Sequence, residues 1–543
     1  FKPQRAGTGK RLFGKAKAQA TPAFVPVQVA LPRVAPRFTN ATRWAQCRHI
    51  FAFDAVAVFK SVPFLVMLLF GVLNMVGSAS VLDEMFGTDV YPRTHLMIDL
   101  LQGSFNFLLI IIVTFYAGEL IFKERQARIA DVSDAMPMPN WAPLVAKSLA
   151  LVGVVLVFLF AGILTAIAIQ LFRGGAPVEF GVYVKGVFMA GLPFVLMALI
   201  AIVLQVVTNN KFLGYLLVIV LLIAQIVLSV MHLDHNLYNI ALLPDTPYSD
   251  MNGFGHFVTG WAWFALYWTL FCLAALIVAQ AFWVRGLSVE WRARVREAGR
   301  RLKGSAGVAL ALCTIAFALV GGWIFHNTVT LGGYEARNVS MDKQARYEKL
   351  YRQYKDLPHA KIVDVRAAVD IYPEQRRVTV KGSYVLENKT GQPLDTLRLQ
   401  FNPDVVTTLG KLPPHQVVLE DAESGFRILK LATPLAPGAR LPLDFTVDAH
   451  RQGFSNSGEA DTFNLNGTFF NNHEFFPMLG YQSDYELKDR NERRKRGLGE
   501  PQRMPKLEDE AARADSLFGG GADWIGFETT VSTSGDQIAL APG

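Results

Sequence analysis

Apolar residues gather into seven long runs over the first 327 positions, and the pattern then changes to a period of two. The runs cover residues 62–82, 104–122, 148–172, 186–207, 212–231, 261–284 and 307–325. Each approaches the roughly 20 apolar residues that cross about 30 Å of hydrocarbon, so each predicts a membrane-spanning helix. Trp261, Trp263 and Trp268 open the sixth run and Trp283 closes it, as an aromatic belt would. Residues 44–60 mix Trp44, Ile50, Phe51, Phe53, Val56 and Phe59 with Arg48 and Lys60. They predict an amphipathic elbow helix lying in the interface, or a helix packed on a partner subunit.

Beyond the seventh run the reading is of a water-soluble domain. Within residues 328–360, Tyr347, Leu350, Tyr351, Tyr354 and Leu357 keep helical spacing and predict a stalk helix over 341–357. From 361 to 543 apolar positions alternate: Val363, Val365, Ala367, Val369 and Ile371 share one face, then Val378, Val380, Tyr384 and Leu386, then Leu397 and Leu399, then Leu441, Leu443, Phe445 and Val447. Turn chemistry such as Asn388-Lys-Thr-Gly391 separates the runs. The expected fold class is therefore a seven-span α-helical membrane bundle followed by an all-β antiparallel sandwich or saddle.

Composition agrees with that division. The 543 residues are 51% hydrophobic and 18% charged, with a net charge of +8. The positive charge sits in loops beside apolar runs, which points to membrane topology rather than nucleic acid. With the N-terminus in the cytoplasm, the inner segments (1–60, 123–147, 208–211 and 285–303) hold 23 Lys and Arg, against 3 in the outer connections (83–103, 173–185 and 232–260). Arg292, Arg294, Arg296, Arg300, Arg301 and Lys303 pin the loop at 286–304 inside. The expectation is a multi-pass protein of a bacterial inner membrane, with a basic cytoplasmic tail at 1–43, the bundle at 61–285, a seventh span at 305–327 and the β-domain outside the cytoplasm. None of Cys47, Cys272 and Cys313 falls in the β-domain, which excludes a disulfide or cysteine metal site there. The chain opens on Phe1, and residues 536–543 read as a strand cut short. The chain is thus expected to be an internal fragment.

The span interiors carry few ionisable groups, which disfavours a proton- or ion-coupled carrier. Gly7-Thr-Gly-Lys-Arg11 lacks the first glycine and the Ser/Thr of a phosphate-binding loop. The loop after the second span is more informative. It runs Glu119-Leu-Ile-Phe-Lys-Glu124-Arg125-Gln-Ala-Arg128-Ile-Ala-Asp131-Val-Ser-Asp134 and ends in a proline-rich turn at Pro137 and Pro139. An elbow, six spans and this charged helix resemble the permease of a type-two ABC transporter. The resemblance implies that Glu124, Arg125, Arg128 and Asp131 touch a cytoplasmic ATPase subunit that binds ATP. It also implies a second permease half, on the same longer chain or another.

The β-region resembles the N-terminal domain of gluzincin aminopeptidases, the membrane alanyl aminopeptidase family. The resemblance rests on Val369-Asp-Ile-Tyr-Pro373, Gly382-Ser-Tyr384, Asn466-Gly-Thr-Phe-Phe-Asn-Asn472, Phe476-Pro-Met-Leu-Gly-Tyr481, Glu486-Leu-Lys-Asp489 and the tail from Val531. That family hydrolyses peptides with zinc. The paired histidines and the glutamate that would hold and use the metal are not found here: His473-Glu474 is followed by Pro477 rather than a second histidine. No catalytic, cofactor-binding or metal residue is therefore assigned, and zinc is implied only for a domain beyond this chain. Asn466, Asn471 and Asn472 are candidates for a peptide pocket, or turn residues bonded to their own backbone.

Two other clusters leave alternatives open. His232, Asp234, His235 and His256 are either a metal site or ordinary polar loop residues. Arg490, Arg493, Arg494, Lys495 and Arg496 are either a patch for acidic partners or solvated surface. The leading expectation is a permease subunit carrying an outward aminopeptidase-like module that acts on or binds peptide-like cargo. The alternative is a membrane-anchored zinc aminopeptidase or peptide-binding protein whose spans serve only as anchor.

Overall fold

A computed structural model describes residues 39–82, 87–88, 90–285, 290–458, 462–465, 467–501, 505–506, 508–510 and 523–541. The chain is a multi-pass membrane protein: among the described residues, seven helices are long and apolar enough to cross a bilayer. After α1 (Asn40–Phe59) these are α2 (Val62–Ser80), α3 (Thr94–Gln126), α5 (Trp141–Arg173), α6 (Phe180–Thr208), α7 (Lys211–Val230), α8 (Phe257–Phe282) and α10 (Ser305–Phe325). The short α4 (Ala130–Asp134) lies between α3 and α5, and α9 (Trp291–Arg301) lies between α8 and α10. Trp291–Arg301, within the segment read as a basic loop, is thus helical.

Local chemistry sets the helix ends. Ser61 caps α2, accepting from the Phe64 amide, with proline in the first turn. Asn209 ends α6 in the left-handed region at φ 53°, and Asn210 at once caps α7 by accepting from the Phe212 and Leu213 amides. Two asparagines therefore reverse the chain between two spans. Leu101, Phe105, Leu109, Ile112 and Val113 of α3 meet Val154, Val155 and Phe158 of α5 and Ala198 and Ala201 of α6 in a continuous core. The apolar residues left exposed, such as Leu216, Ile223 and Ile226 on α7, face outward where hydrocarbon would be.

The seventh span α10 runs into a π-helical turn, His326–Leu331, before α11 (Arg337–Tyr351) and a 3-10 turn at Arg352–Tyr354. The stalk helix is real but starts four residues earlier than 341 and ends before 357. Tyr354 and Leu357 belong to the turns that follow.

The C-terminal domain has two sheets. One runs β4 (Val406–Leu409), β7 (Arg440–His450), β2 (Arg377–Glu387), β1 (Lys361–Tyr372), β9 (Gly526–Ser532). The other runs β5 (His415–Asp421), β6 (Phe426–Leu435), β3 (Leu394–Gln400), β8 (Met478–Leu479). Every pairing is antiparallel except β1 with β9, which is parallel. The period-two residues Val365, Val378, Val380, Leu386, Leu397, Leu399, Leu443 and Val447 form its core. Gly382 has a steric reason: a Cβ there would stand 2.2 Å from the Phe445 ring. Residues 536–541 are not a strand; Ser534, Gly535 and Asp536 enter a turn closed by the Gln537 amide on the Ser534 carbonyl. Here the exposed Ile538 and Leu540 imitated a strand's alternation without a sheet to join.

The stalk helix is bolted to the β-domain by ions. Glu348 and Arg493 are both buried, with the guanidinium donating twice to the carboxylate at 2.6 and 2.7 Å. Asp421 at the end of β5 accepts from Tyr351 at 2.6 Å and Arg346 at 2.8 Å. Burial raises the Asp421 pKa, but hydrogen bonds from Tyr351, Arg346 and Ser424 outweigh it and hold the carboxyl at about 2.

Candidate functional site

At the bundle end opposite the β-domain, α1, α3 and α5 meet around four charges. Asp54, 1% exposed in α1, accepts from Lys123 Nζ at 2.7 Å and lies 3.4 Å from Lys147 Nζ. Lys147, buried in the first turns of α5, also donates to Glu124 at 2.7 and 3.0 Å and to the Leu120 carbonyl at 2.6 Å. Lys123 lies 4.1 Å from the centre of the Phe53 ring. Every member has a charged partner, as burial of ions requires. The sequence signal for it was slight: a lone carboxylate in an apolar helix and a lysine opening a span.

A cleft of about 170 Å³ opens beside this network. Its walls include Glu124, Arg125, Ser133, Met138, Asn209 and Arg285. Of the residues expected to contact a partner, Glu124 is half-buried in the ion network. Arg125 is exposed on the cleft rim and donates to Asn209 Oδ1 at 2.5 Å. Arg128 adopts φ 58° in the turn between α3 and α4, and Asp131 is exposed in the first turn of α4. Sequence reading missed the apolar part of this loop. Ile129, Val132 and Met136 are 52%, 68% and 47% exposed. The signal available was their alternation with Arg128, Asp131 and Asp134.

On the opposite face the β-domain docks onto the 232–260 connection. Asn236 donates two hydrogen bonds to Asn456, and Phe454 packs against the cluster of Trp261, Phe264 and Leu243. Gly453, at φ 70°, brings its backbone against the π-helical turn, where a Cβ would stand 2.1 Å from the Asn327 carbonyl oxygen. A cleft of about 840 Å³ lies at this junction, and its walls carry Asp234, Asp245, Glu335, Arg337 and Arg451.

The histidines of that connection do separate work. His235 accepts the Leu237 amide on Nδ1 at 3.1 Å, and its Nε2 lies 3.0 Å from Thr328 Oγ1, which itself donates to the Ile324 carbonyl. This chain assigns the neutral tautomer with hydrogen on Nε2. Burial pushes the His235 pKa down to about 4. His232 lies 3.6 Å from Glu492 instead. Among the described residues, no group of three or more His, Cys, Asp and Glu is arranged to hold a metal ion. Zinc therefore has no ligand set among them.

The basic run at 490–496 is largely tied up internally. Arg493 serves Glu348, Arg490 and Arg494 share Glu500, and Arg496 joins Asp342 and Glu492. Asn471 accepts the His473 amide at 3.0 Å, capping the one-turn α12 (Asn472–Phe475), where Asn472 is exposed. Asn466 lies outside the described residues.

No protein-family model matches the chain, and no curated protein matches it. Among solved structures, an M1 zinc metallopeptidase mutant from Deinococcus radiodurans, bound to a Tyr-Ser-Ala substrate, is 12% identical with a TM-score of 0.15. The match covers 17% of this chain and 21% of that one. The alkylpurine DNA glycosylase AlkC from Pseudomonas fluorescens is 12% identical with a TM-score of 0.11, covering 64% of this chain and 89% of that one.

Proposed function

We propose that the chain is the permease half of an ATP-driven transporter, oriented with the α3–α4–α5 loop in the cytoplasm and the β-domain outside. The carrying observation is that Ile129, Val132 and Met136 are exposed in the same short loop that brings Arg125 and Met136 to a cleft. Apolar side chains held in a charged loop favour a protein partner over bulk water. Asp54, Lys123, Glu124 and Lys147 brace the loop, so a push on α4 is delivered to α1, α3 and α5 together. In this reading Arg125, Arg128 and Asp131 contact the ATPase subunit, Glu124 supports them from behind, and a second permease half completes the pathway.

The β-domain then handles peptide-like cargo at the junctional cleft. That cleft's size falls within the roughly 300–1,000 Å³ of ligand pockets, and its acidic and basic walls match the two charged ends of a peptide. The test is reconstitution of the full chain with an ATP-hydrolysing subunit from its host. Val132→Glu and Arg125→Glu abolish co-purification and stimulated ATP hydrolysis on this reading. Wild-type association in both variants rejects it in favour of spans that serve only as anchor.

A further inference from the structure

Helix α9 lies between two spans and shows three faces. The inward face is bolted to the bundle. Arg294 is buried and donates to the Val206 carbonyl at 2.9 Å and the Phe282 carbonyl at 3.3 Å. Arg301 donates to the Ala281 carbonyl at 3.0 Å and the Trp283 carbonyl at 2.7 Å. These are acceptors at the C-terminal ends of α6 and α8, which a helix leaves without intrahelical partners. Two arginines thereby fix α9 at the depth where two spans stop.

The second face is apolar and exposed. Trp291 and Val295, four residues apart, point outward, and the Trp291 ring stacks on Phe282 at 5.6 Å. The third face lies beside it and carries Arg292, Arg296 and Arg300, all exposed. Arg300 approaches Glu297 only at 3.9 Å, and among the described residues neither Arg292 nor Arg296 has an acidic partner. A tryptophan at the boundary next to a row of cations is the pattern of a helix lying in a membrane surface.

We infer that α9 is a docking surface for anionic phospholipids, with Trp291 and Val295 seated at the acyl boundary and Arg292, Arg296 and Arg300 on headgroup phosphates. Charge complementarity and the bolted depth argue for lipid over a soluble anion, because the apolar and cationic faces must be satisfied together. The inference holds whatever partner the α4 loop takes.

Native mass spectrometry of the full chain in detergent tests it, with equimolar phosphatidylglycerol and phosphatidylcholine as probes. The wild type should retain phosphatidylglycerol preferentially. Apparent affinity should fall about fivefold for each of R292Q, R296Q and R300Q added. The R292K/R296K/R300K variant should keep the preference, which separates charge from folding. Undiminished phosphatidylglycerol retention in the triple glutamine variant overturns the inference. So does full displacement by inorganic phosphate, which marks a soluble-anion site. Loss of an ATPase partner with lipid retention intact overturns it too, and assigns the surface to protein.

Discussion

Asn236 and Asn456 lie 220 residues apart and are joined twice: the Asn236 amide donates to Asn456 Oδ1 at 2.9 Å, and Asn236 Nδ2 donates to the Asn456 carbonyl at 2.7 Å. The Trp268 indole donates to the Asn236 carbonyl at 3.2 Å, so the pair is held from the bundle side as well. Since both residues are buried, Asn456→Ala strands the Asn236 amide without water. The expected penalty to docking is about 1–3 kcal/mol. Hydrogen exchange at the Asn236 amide should quicken accordingly, while the β-sheet core keeps its protection. Unchanged exchange at Asn236 would show that this pair does not hold the domains together.

His235 makes the same junction sensitive to acid. Its folded pKa of about 4 lies below the ordinary 6.5, so the folded state binds the proton less well than the unfolded state. The associated stability is fully present above pH 6.5 and is lost as pH falls through 4. Its magnitude is about 3 kcal/mol. Protonation would place a second hydrogen on Nδ1, opposite the Leu237 amide that now donates to it. Exchange of the 233–240 amides should therefore accelerate between pH 6.5 and 4. His235→Gln should flatten that dependence; a variant with an unaltered pH profile would point to another group.

The ion network at the other end predicts an order of effects. Lys147→Met removes the hub, leaving Asp54 with Lys123 alone and Glu124 without its partner. The expected loss is about 3–5 kcal/mol. Glu124→Gln should cost less, because Lys147 keeps Asp54 and the Leu120 carbonyl. Thermal midpoints of the full chain in detergent measure the order. A Glu124→Gln variant as unstable as Lys147→Met would contradict a hub at Lys147.

The legible parts of the fold follow from solvent. Hydrocarbon demands long apolar helices, so spans such as Phe212–Met231 announce themselves, and α7 occupies Lys211–Val230. A half-buried strand demands alternation, which made β1, β2 and β7 readable. β5 was not, because it is exposed along most of its length and its apolar Val417 and Val418 stand side by side. Of β9 only Val531 and Ser532 were read, as the start of a tail, since its parallel partner β1 lies 162 residues away. The α3–α4 loop residues expected to meet a partner carried charge that sequence could see. What it could not see was that Glu124 spends its charge on Lys147, or that Ile129 and Val132 stay exposed, because both depend on which helices meet.

Glu348 and Arg493 give the sharpest test of how the stalk is held. Both side chains are 1% exposed and meet through two hydrogen bonds, with the guanidinium also donating to the Leu487 and Gly499 carbonyls. Arg493→Met leaves the buried Glu348 carboxylate to Arg352 alone, at 2.5 Å. Removing one member of a buried pair costs about 3–5 kcal/mol, whereas replacing both by apolar side chains of similar volume is often nearly neutral. The double variant Glu348→Leu with Arg493→Met should therefore recover most of the loss. Limited proteolysis at the 332–336 linker reads the detachment of α11, with the single variant cleaved fastest. Equal cleavage of single and double variants would mean that packing around Tyr347 and Phe426, rather than charge, secures the stalk.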